Sequence, residues 1–214
     1  MRSTLILLAV LALAGTSAAV AGRGDPQKRI TPADQARAKS MLLRAGDFNA
    51  GYTALPTSGG SGGGFYCAAL DESDLTLTGQ AQSPSFTATG EYVISSASVY
   101  RSGSDATTSW KRGTSAVGQQ CLRARLRSEL RSSATRLVSF TRMAFPKRGD
   151  LSVAFSGVAS QQGIRIYVDV VAMQVSRSQT AVSYISALAP PPSGELRRLT
   201  ALVAKRAAAA MRGS

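Results

Sequence analysis

The C-terminal half of the chain carries the pattern that most restricts the fold, a hydrophobic alternation with a period of two residues. The alternation begins after Ala134, continues through Ile164–Val175 and ends near Leu188. Short polar turns at residues 147–150 and 160–163 interrupt it. A period of two places alternate side chains on opposite faces of a strand, and short turns reverse the chain. The sequence therefore predicts a four-stranded antiparallel meander.

Three other stretches show the 3.6-residue hydrophobic period of helices that pack one face against a sheet. Thr31 and Pro32 are typical of a helix start, because threonine can cap the first turn and proline fits its first position. The longest period runs from about Asp105 to Arg131 and predicts one continuous helix. The last begins at Ser193 and runs toward the C-terminus.

Additional strand signals precede the meander, around Leu75, around Phe86 and over residues 92–100. We therefore expect an α+β fold with a mainly antiparallel sheet, built from the C-terminal four-stranded meander plus N-terminal strands. A long central helix, an N-terminal helix and a C-terminal helix should pack on this sheet. No linker divides the chain, so we expect a single domain over residues 31–214, preceded by a flexible segment at 22–30.

The first 21 residues have the three parts of a secretory signal peptide. Arg2 provides the positive start, residues 5–14 form a short apolar core, and residues 19–21 (Ala-Val-Ala) form a cleavage site of small side chains. We therefore expect cleavage after Ala21 and a secreted, extracytoplasmic protein whose mature chain has no transmembrane span. The alternative is that the segment is retained as an uncleaved N-terminal anchor.

The chain has two cysteines, Cys67 and Cys121. An even number of cysteines in an exported chain predicts a disulfide, because oxidising compartments preserve such bonds. A disulfide that closes a loop of this length would stabilise the fold by about 4 kcal/mol on the chain-entropy model. The alternative is a pair of buried free thiols.

The chain contains no histidine, which excludes a Ser-His-Asp relay and removes the commonest metal ligand. Since both cysteines are expected in a disulfide, a zinc site is not expected either, and we predict neither a metal nor a cofactor. Residues 59–63 match the G-x-S-x-G pattern of a nucleophile elbow, but the glycines of 58–64 predict a flexible loop instead. We therefore predict that the protein is not an enzyme.

The net charge of +13, from 25 basic and 12 acidic residues, predicts attraction to anionic polymers and surfaces. Nucleic acid is one such polymer, but export argues against it, and the chain lacks the basic and aromatic interleaving of an RNA-binding strand. We therefore expect no nucleic-acid partner. The same charge is also typical of a solvated basic surface without a ligand, and it does not specify an oligomeric state.

Several local sequences, in their order along the chain, resemble the extracellular sensor domain of mycobacterial PknH-type receptor kinases and related exported actinobacterial proteins. The resemblance is carried by residues 45–52 (Ala-Gly-Asp-Phe-Asn-Ala-Gly-Tyr), by the helical stretch 110–122 and by residues 149–175. It implies an α/β sandwich with a groove on one side of the sheet and a binding or sensing role without catalysis. Family members often carry two disulfides, whereas this chain has cysteines for one. It also lacks a kinase domain and a membrane span, so we expect a free-standing binding module.

We predict an exported ligand-binding or sensor-like module that takes an acidic or amphiphilic envelope ligand on the sheet face beneath the helices. Arginine and aromatic side chains on neighbouring strands suit an anionic headgroup and an apolar tail. The candidate lining residues are Tyr92, Tyr100, Arg136, Arg142, Arg165 and Tyr167. The same alternation is also typical of any half-solvated sheet. The competing hypotheses are an exported hydrolase without histidine and a basic envelope-adhesion protein.

Expression in a bacterial host with an intact export pathway tests the signal-peptide prediction. We expect the intact mass of the exported protein to lack residues 1–21, because signal peptidase cuts after a pair of small residues spaced as in A-x-A. Replacing both small residues, Ala19→Leu with Ala21→Leu, should block this cleavage. A wild-type protein that keeps its full mass and sediments with the membrane would instead support the uncleaved anchor.

Overall fold

A computed structural model of the chain describes residues 24–56, 66–131, 134–187 and 189–212. The predicted signal peptide with its cleavage site after Ala21, and the predicted glycine-rich loop 58–64, lie outside the described residues. Within the described part of the chain, none of the helices is long and apolar enough to cross a membrane.

The described residues form four α-helices and one nine-stranded, mostly antiparallel sheet, which confirms the predicted α+β class. The strands are β1 (Gln27–Lys28), β2 (Thr53–Leu55), β3 (Thr76–Gln82), β4 (Ser85–Ala88), β5 (Glu91–Tyr100), β6 (Thr135–Arg142), β7 (Leu151–Gln161), β8 (Ile164–Val175) and β9 (Ser178–Ser186). The helices are α1 (Pro32–Met41), α2 (Gly103–Thr114), α3 (Ala116–Arg131) and α4 (Ser193–Met211).

The strands lie in the order β1-β3-β5-β9-β8-β7-β6, with β4 pairing β5 and β2 pairing β4. Strands β6 to β9 form the predicted antiparallel meander, with each strand pairing the next. Within the segment 22–30, which we predicted to be flexible, residues 27 and 28 form β1. Gln27 and Lys28 pair in parallel with Thr76 and Leu77, because the edge of β3 offers them unpaired backbone groups.

Helices cover both faces of the sheet. Val171 and Met173 of β8 lie in one core cluster with Leu196 and Leu199 of α4, and α1 packs on the same side. We call this side the α4 face. The alternate residues of β8 point the other way, and Ile166 packs with Leu130 of α3 there, which defines the α3 face.

The central helical stretch is two helices rather than the one continuous helix expected from its period. The break falls at Ser115, whose hydroxyl oxygen accepts a hydrogen bond from the backbone N–H of Gly118 at 3.0 Å and so caps the start of α3. The corner is tight: a Cβ atom on Gly118 would lie 1.9 Å from the carbonyl oxygen of Arg112. Hydrophobic period alone does not reveal this break, because the apolar positions continue on both sides of it.

Cys67 and Cys121 form the predicted disulfide, with their Cα atoms 6.2 Å apart. The bond attaches α3 to the short 3-10 turn Ala68–Leu70, which precedes β3 in the chain. It therefore links a helix of the α3 face to the segment that leads into the sheet. A structural disulfide is typical of proteins that fold in an oxidising compartment.

A buried ion pair attaches α1 to the turn between β8 and β9. Arg177 donates to both carboxylate oxygens of Asp34, at 2.7 and 2.9 Å, and also to the carbonyl oxygen of Tyr100 at 2.7 Å. Asp34 is 6% exposed, and its backbone N–H is capped by Thr31, as the sequence predicts. Hydrogen bonds from Arg177 hold the pKa of the Asp34 carboxyl well below its usual range.

We expect the Arg177→Gln variant to lose about 3 kcal/mol of unfolding free energy at pH 7, because it removes the more buried arginine partner of Asp34 and leaves the Oδ2 atom of this buried carboxylate without an arginine. The folded pKa of Asp34 lies below its unfolded value near 4, so the pair contributes above that pH and its contribution falls as the solution is acidified. Urea unfolding at pH 7 and at pH 3 should therefore show a smaller difference between variant and wild type at pH 3.

Arg37→Gln provides the matched control, since Arg37 also contacts Asp34 but its side chain is 31% exposed. This control should cost less than about 1 kcal/mol. Equal losses in the two variants, or a loss from Arg177→Gln that does not change with pH, would contradict the assignment.

Candidate functional site

The α4 face of strands β6, β7 and β8 carries mostly hydroxylated side chains, and we call this surface the polar floor. Directly paired residues of antiparallel strands point to the same side, so the pairing register identifies its members. The three rows of partners across β6, β7 and β8 are Arg136, Ser160 and Arg165; Ser139, Val158 and Tyr167; and Thr141, Ser156 and Asp169. All of them except Asp169 are exposed or half-buried.

One end of the polar floor is basic. Arg136 and Arg165 lie on either side of Ser160, so their Cα atoms are two strand spacings apart, about 10 Å. Both side chains are exposed, and neither forms a hydrogen bond or an ion pair with another residue of the described ranges. Guanidinium groups at this separation can both reach one carboxylate or phosphate and bind it with paired hydrogen bonds.

The other end of the polar floor contains a buried carboxylate. Asp169 is 9% exposed and pairs across the sheet with Ser156 on one side and Tyr184 on the other. Burial raises the pKa of Asp169, and a hydrogen bond with Ser156 opposes that change. Its Oδ1 atom is inaccessible to solvent and has no hydrogen-bond partner among the described residues.

A cluster of two tyrosines and a glutamate borders the floor. Both Tyr52 and Tyr184 donate from their hydroxyls to Glu91 Oε2, Tyr184 at 2.8 Å, and the two hydroxyl oxygens are 2.9 Å apart. Glu91 aligns through Ser186 of β9 with Tyr167 of the floor. Burial and the bond to Glu91 raise the pKa of Tyr52 to about 12.

Two contacts position Tyr52 from the segment just before it. Asp47 accepts two hydrogen bonds from Arg206 of α4, at 2.6 and 2.7 Å, which attaches this segment to the helix. Phe48 stacks on Phe86 of β4 with ring centroids 4.4 Å apart. One ion pair and one aromatic contact therefore hold the segment that places Tyr52 beside Glu91.

Half of the predicted lining residues come together on the polar floor. Arg136, Arg165 and Tyr167 all lie on the α4 face, within two rows of the pairing register. The hydroxyl of Tyr167, which is half-buried, forms no hydrogen bond with another described residue. These three residues are therefore available for contact with a ligand.

The other three predicted residues belong to the α3 face, so the six do not share one surface. Tyr92 is 3% exposed and its hydroxyl lies 2.5 Å from that of Ser85, and Tyr100 is 4% exposed with its hydroxyl 2.9 Å from that of Ser109. Both tyrosines are core residues because helices α2 and α3 cover this face. Arg142 is exposed there, beside the core residue Phe155, and lines a depression of about 300 Å³. The binding roles of the six residues stay a prediction.

Sequence reasoning missed Asp169, Glu91, Tyr52 and Tyr184. A signal for Asp169 was available, since it is the one acidic residue in the mostly apolar strand β8. No comparable signal marks the cluster, because Tyr52 and Tyr184 are 132 residues apart in the chain. Among the described residues, no three acidic or cysteine side chains are grouped so that they could hold a metal ion.

Comparison with known proteins adds no assignment: no family model matches this chain, and no curated protein matches it. The resemblance to sensor domains of receptor kinases therefore stays a prediction. The candidate site depends on its own residues and their geometry.

Titration of the tyrosine cluster gives a measurable consequence. An unfolded tyrosine ionises near pH 10, whereas Tyr52 in the folded protein ionises near 12, so above pH 10 the unfolded state releases this proton first. The unfolding free energy should therefore fall between pH 10 and 12, by about 1.4 kcal/mol per pH unit for each such tyrosine. Chemical denaturation of Tyr52→Phe should show the unfolding free energy falling less steeply over this pH range, by about 1.4 kcal/mol per pH unit. An unchanged slope would mean that Tyr52 is not the protected group.

Proposed function

We propose that the protein is an exported, non-catalytic binding module that holds an acidic envelope molecule on the polar floor. The observation that carries the proposal is the pair of exposed arginines, Arg136 and Arg165, on either side of Ser160. Neither guanidinium has a partner among the described residues, so both are free to bind an anion. Paired arginines bind carboxylates and phosphates more specifically than net charge alone does.

The neighbouring residues support a ligand that is larger than a single anion. Ser139, Thr141, Ser156 and Ser160 can each donate and accept hydrogen bonds, and Tyr167 adds an aromatic surface between the basic and acidic ends. A ligand with polar groups along its length would contact all three rows. This arrangement is typical of recognition, because it combines two cations with several neutral hydroxyl groups along one surface.

Export is supported by two independent features. The N-terminal sequence has the parts of a secretory signal peptide, and Cys67 and Cys121 form a disulfide of the kind that persists outside the cytoplasm. A sensor role within the cell envelope, as the resemblance implies, is part of the same proposal.

A hydrolase without histidine is the second candidate function, because two carboxylates, Asp169 and Glu91, lie on or beside the floor. Glycoside hydrolysis requires one carboxylic acid and one carboxylate that face the same bond. Glu91 already accepts hydrogen bonds from two tyrosines, which favours a structural role for it. The hydrolase hypothesis therefore has less support than binding.

Titration with a trimer of galacturonate, followed by calorimetry and native mass spectrometry, tests the proposal. We expect the double variant Arg136→Gln with Arg165→Gln to weaken binding by roughly tenfold or more, since each removes a charge-assisted hydrogen bond to the acid. The matched control is Arg127→Gln with Arg131→Gln, which removes the same charge from exposed positions of α3.

The control pair should change the affinity less than about twofold at 0.15 M salt, where distant surface charges are screened. Equal losses in the two pairs, disappearing together at high salt, would favour the adhesion hypothesis. Cleavage of the trimer during the titration would favour the hydrolase. A wild-type protein that binds no acidic probe would contradict the proposal.

A further inference from the structure

Asp169 differs from the other buried carboxylates in how its oxygens are satisfied. In Asp34 and in Asp47, both oxygens accept hydrogen bonds from an arginine. In Glu72, one oxygen accepts from Ser109 and the other from Tyr100. In Asp169, by contrast, Oδ1 is withdrawn from water and accepts no hydrogen bond from a described residue.

Among the residues that the structure describes, none donates a hydrogen bond to this oxygen. Ser156, the partner on β7, lowers the pKa of the carboxyl, but Oδ1 accepts no hydrogen bond from it, and the hydroxyl of Tyr184, the partner on β9, donates to Glu91 instead. Buried polar atoms without partners are rare in folded proteins, because each one loses its hydrogen bonds to water without replacement. A donor that arrives from outside the chain would remove this cost.

The position of Asp169 relative to the arginines restricts which ligand molecules could supply this donor. Asp169 and Arg165 lie on the same face of β8, four residues and therefore about 13 Å apart along the strand. No hydrogen bond or ion pair joins them in the described residues. The polar floor thus has an unsatisfied acceptor at one end and unpaired cations at the other. A complementary molecule carries a hydrogen-bond donor at one end and a negative charge at the other.

We propose that Asp169 determines the specificity of the polar floor by accepting a hydrogen bond from a hydroxyl group of the bound acid, so that the ligand class is acidic sugars. This inference depends on the proposed function, since it assigns the ligand of the same site. A hydroxyl fits better than an ammonium, because the hydroxyls of Ser156 and Thr141 beside Asp169 need groups that both donate and accept. Access of a ligand hydroxyl to the buried Oδ1 requires a side-chain rearrangement beside Asp169, and rotamer changes of this kind are common on binding.

The test compares two probes that carry three carboxylates each, trigalacturonate with hydroxyls and a three-unit acrylate oligomer without them. Wild-type protein should prefer trigalacturonate by roughly tenfold or more, the usual effect of one hydrogen bond to a charged group. Asp169→Val removes the acceptor and should abolish the preference. Arg136→Gln with Arg165→Gln should weaken the binding of both probes. The arginine variant therefore tests the proposed function, and the Asp169 variant tests the ligand class.

Stability provides a second readout that a structural role for Asp169 would not produce. Because Asp169→Val removes an unsatisfied buried carboxylate and suits a strand, its urea midpoint should rise relative to wild type. A lower midpoint, or equal binding of the two probes by wild type, would overturn the inference while the proposed function stands. Asp169→Ala, which also lacks an acceptor, repeats the binding test if the valine variant does not fold. Failure of wild type to bind either probe would contradict both proposals.

Discussion

The pairing register of strands β5, β9, β8 and β7 is the constraint on which the rest of the structure depends. Side chains alternate between faces along each strand, so a slip of one residue in any pair would exchange the contents of the two faces. The observed register places Val171, Val182 and Val93 under α4 and α1, and Ile166, Ile185 and Tyr92 under α3. Both helical layers bury apolar residues only in this register.

The same register makes the two faces chemically different. On the α3 face, Tyr92 and Tyr100 are core residues with internal hydrogen bonds. On the α4 face, the apolar cluster under α4 gives way to serine, threonine and arginine across β6 and β7. The polar floor is therefore the continuation of a packed sheet face beyond the helix that covers it. Such an edge combines a rigid backbone with accessible side chains, which are the properties that a binding surface requires.

Two acidic residues of this basic chain form buried ion pairs that connect separate structural elements. Asp34 attaches α1 to the β8–β9 turn through Arg177, and Asp47 attaches the segment before Tyr52 to α4 through Arg206. Each of these pairs is largely buried, so removal of one partner is far more costly than loss of an exposed pair. With the carboxylates paired in this way, exposed arginines such as Arg136 and Arg165 have no side-chain partner in the described part of the chain. Such exposed guanidinium groups contribute to the net charge of +13.

Local sequence was sufficient for the features that depend on short-range chemistry. The meander, the start of α1 at Thr31 and the single possible disulfide follow from alternation, capping preference and the presence of two cysteines, and all three are confirmed. The break at Ser115 and the pairing of residues 27 and 28 with β3 were missed, because a backbone contact within the fold decides each of them. Only part of the candidate site could be predicted from the sequence, again because contacts within the fold decide the rest. Arg136, Arg165 and Tyr167 follow from strand alternation, whereas the choice of face follows only from the register.

Only the tertiary structure decided that Asp169 is buried with one oxygen unsatisfied and that Tyr52, Glu91 and Tyr184 meet. Burial depends on which helix covers a strand, and a hydrogen bond between residues 132 positions apart depends on the whole sheet between them. The sequence by itself determined the types of the main elements and the excess of positive charge. The fold determined which of those charges and hydroxyls face the same space, because side-chain neighbours across strands are set by pairing rather than by order along the chain.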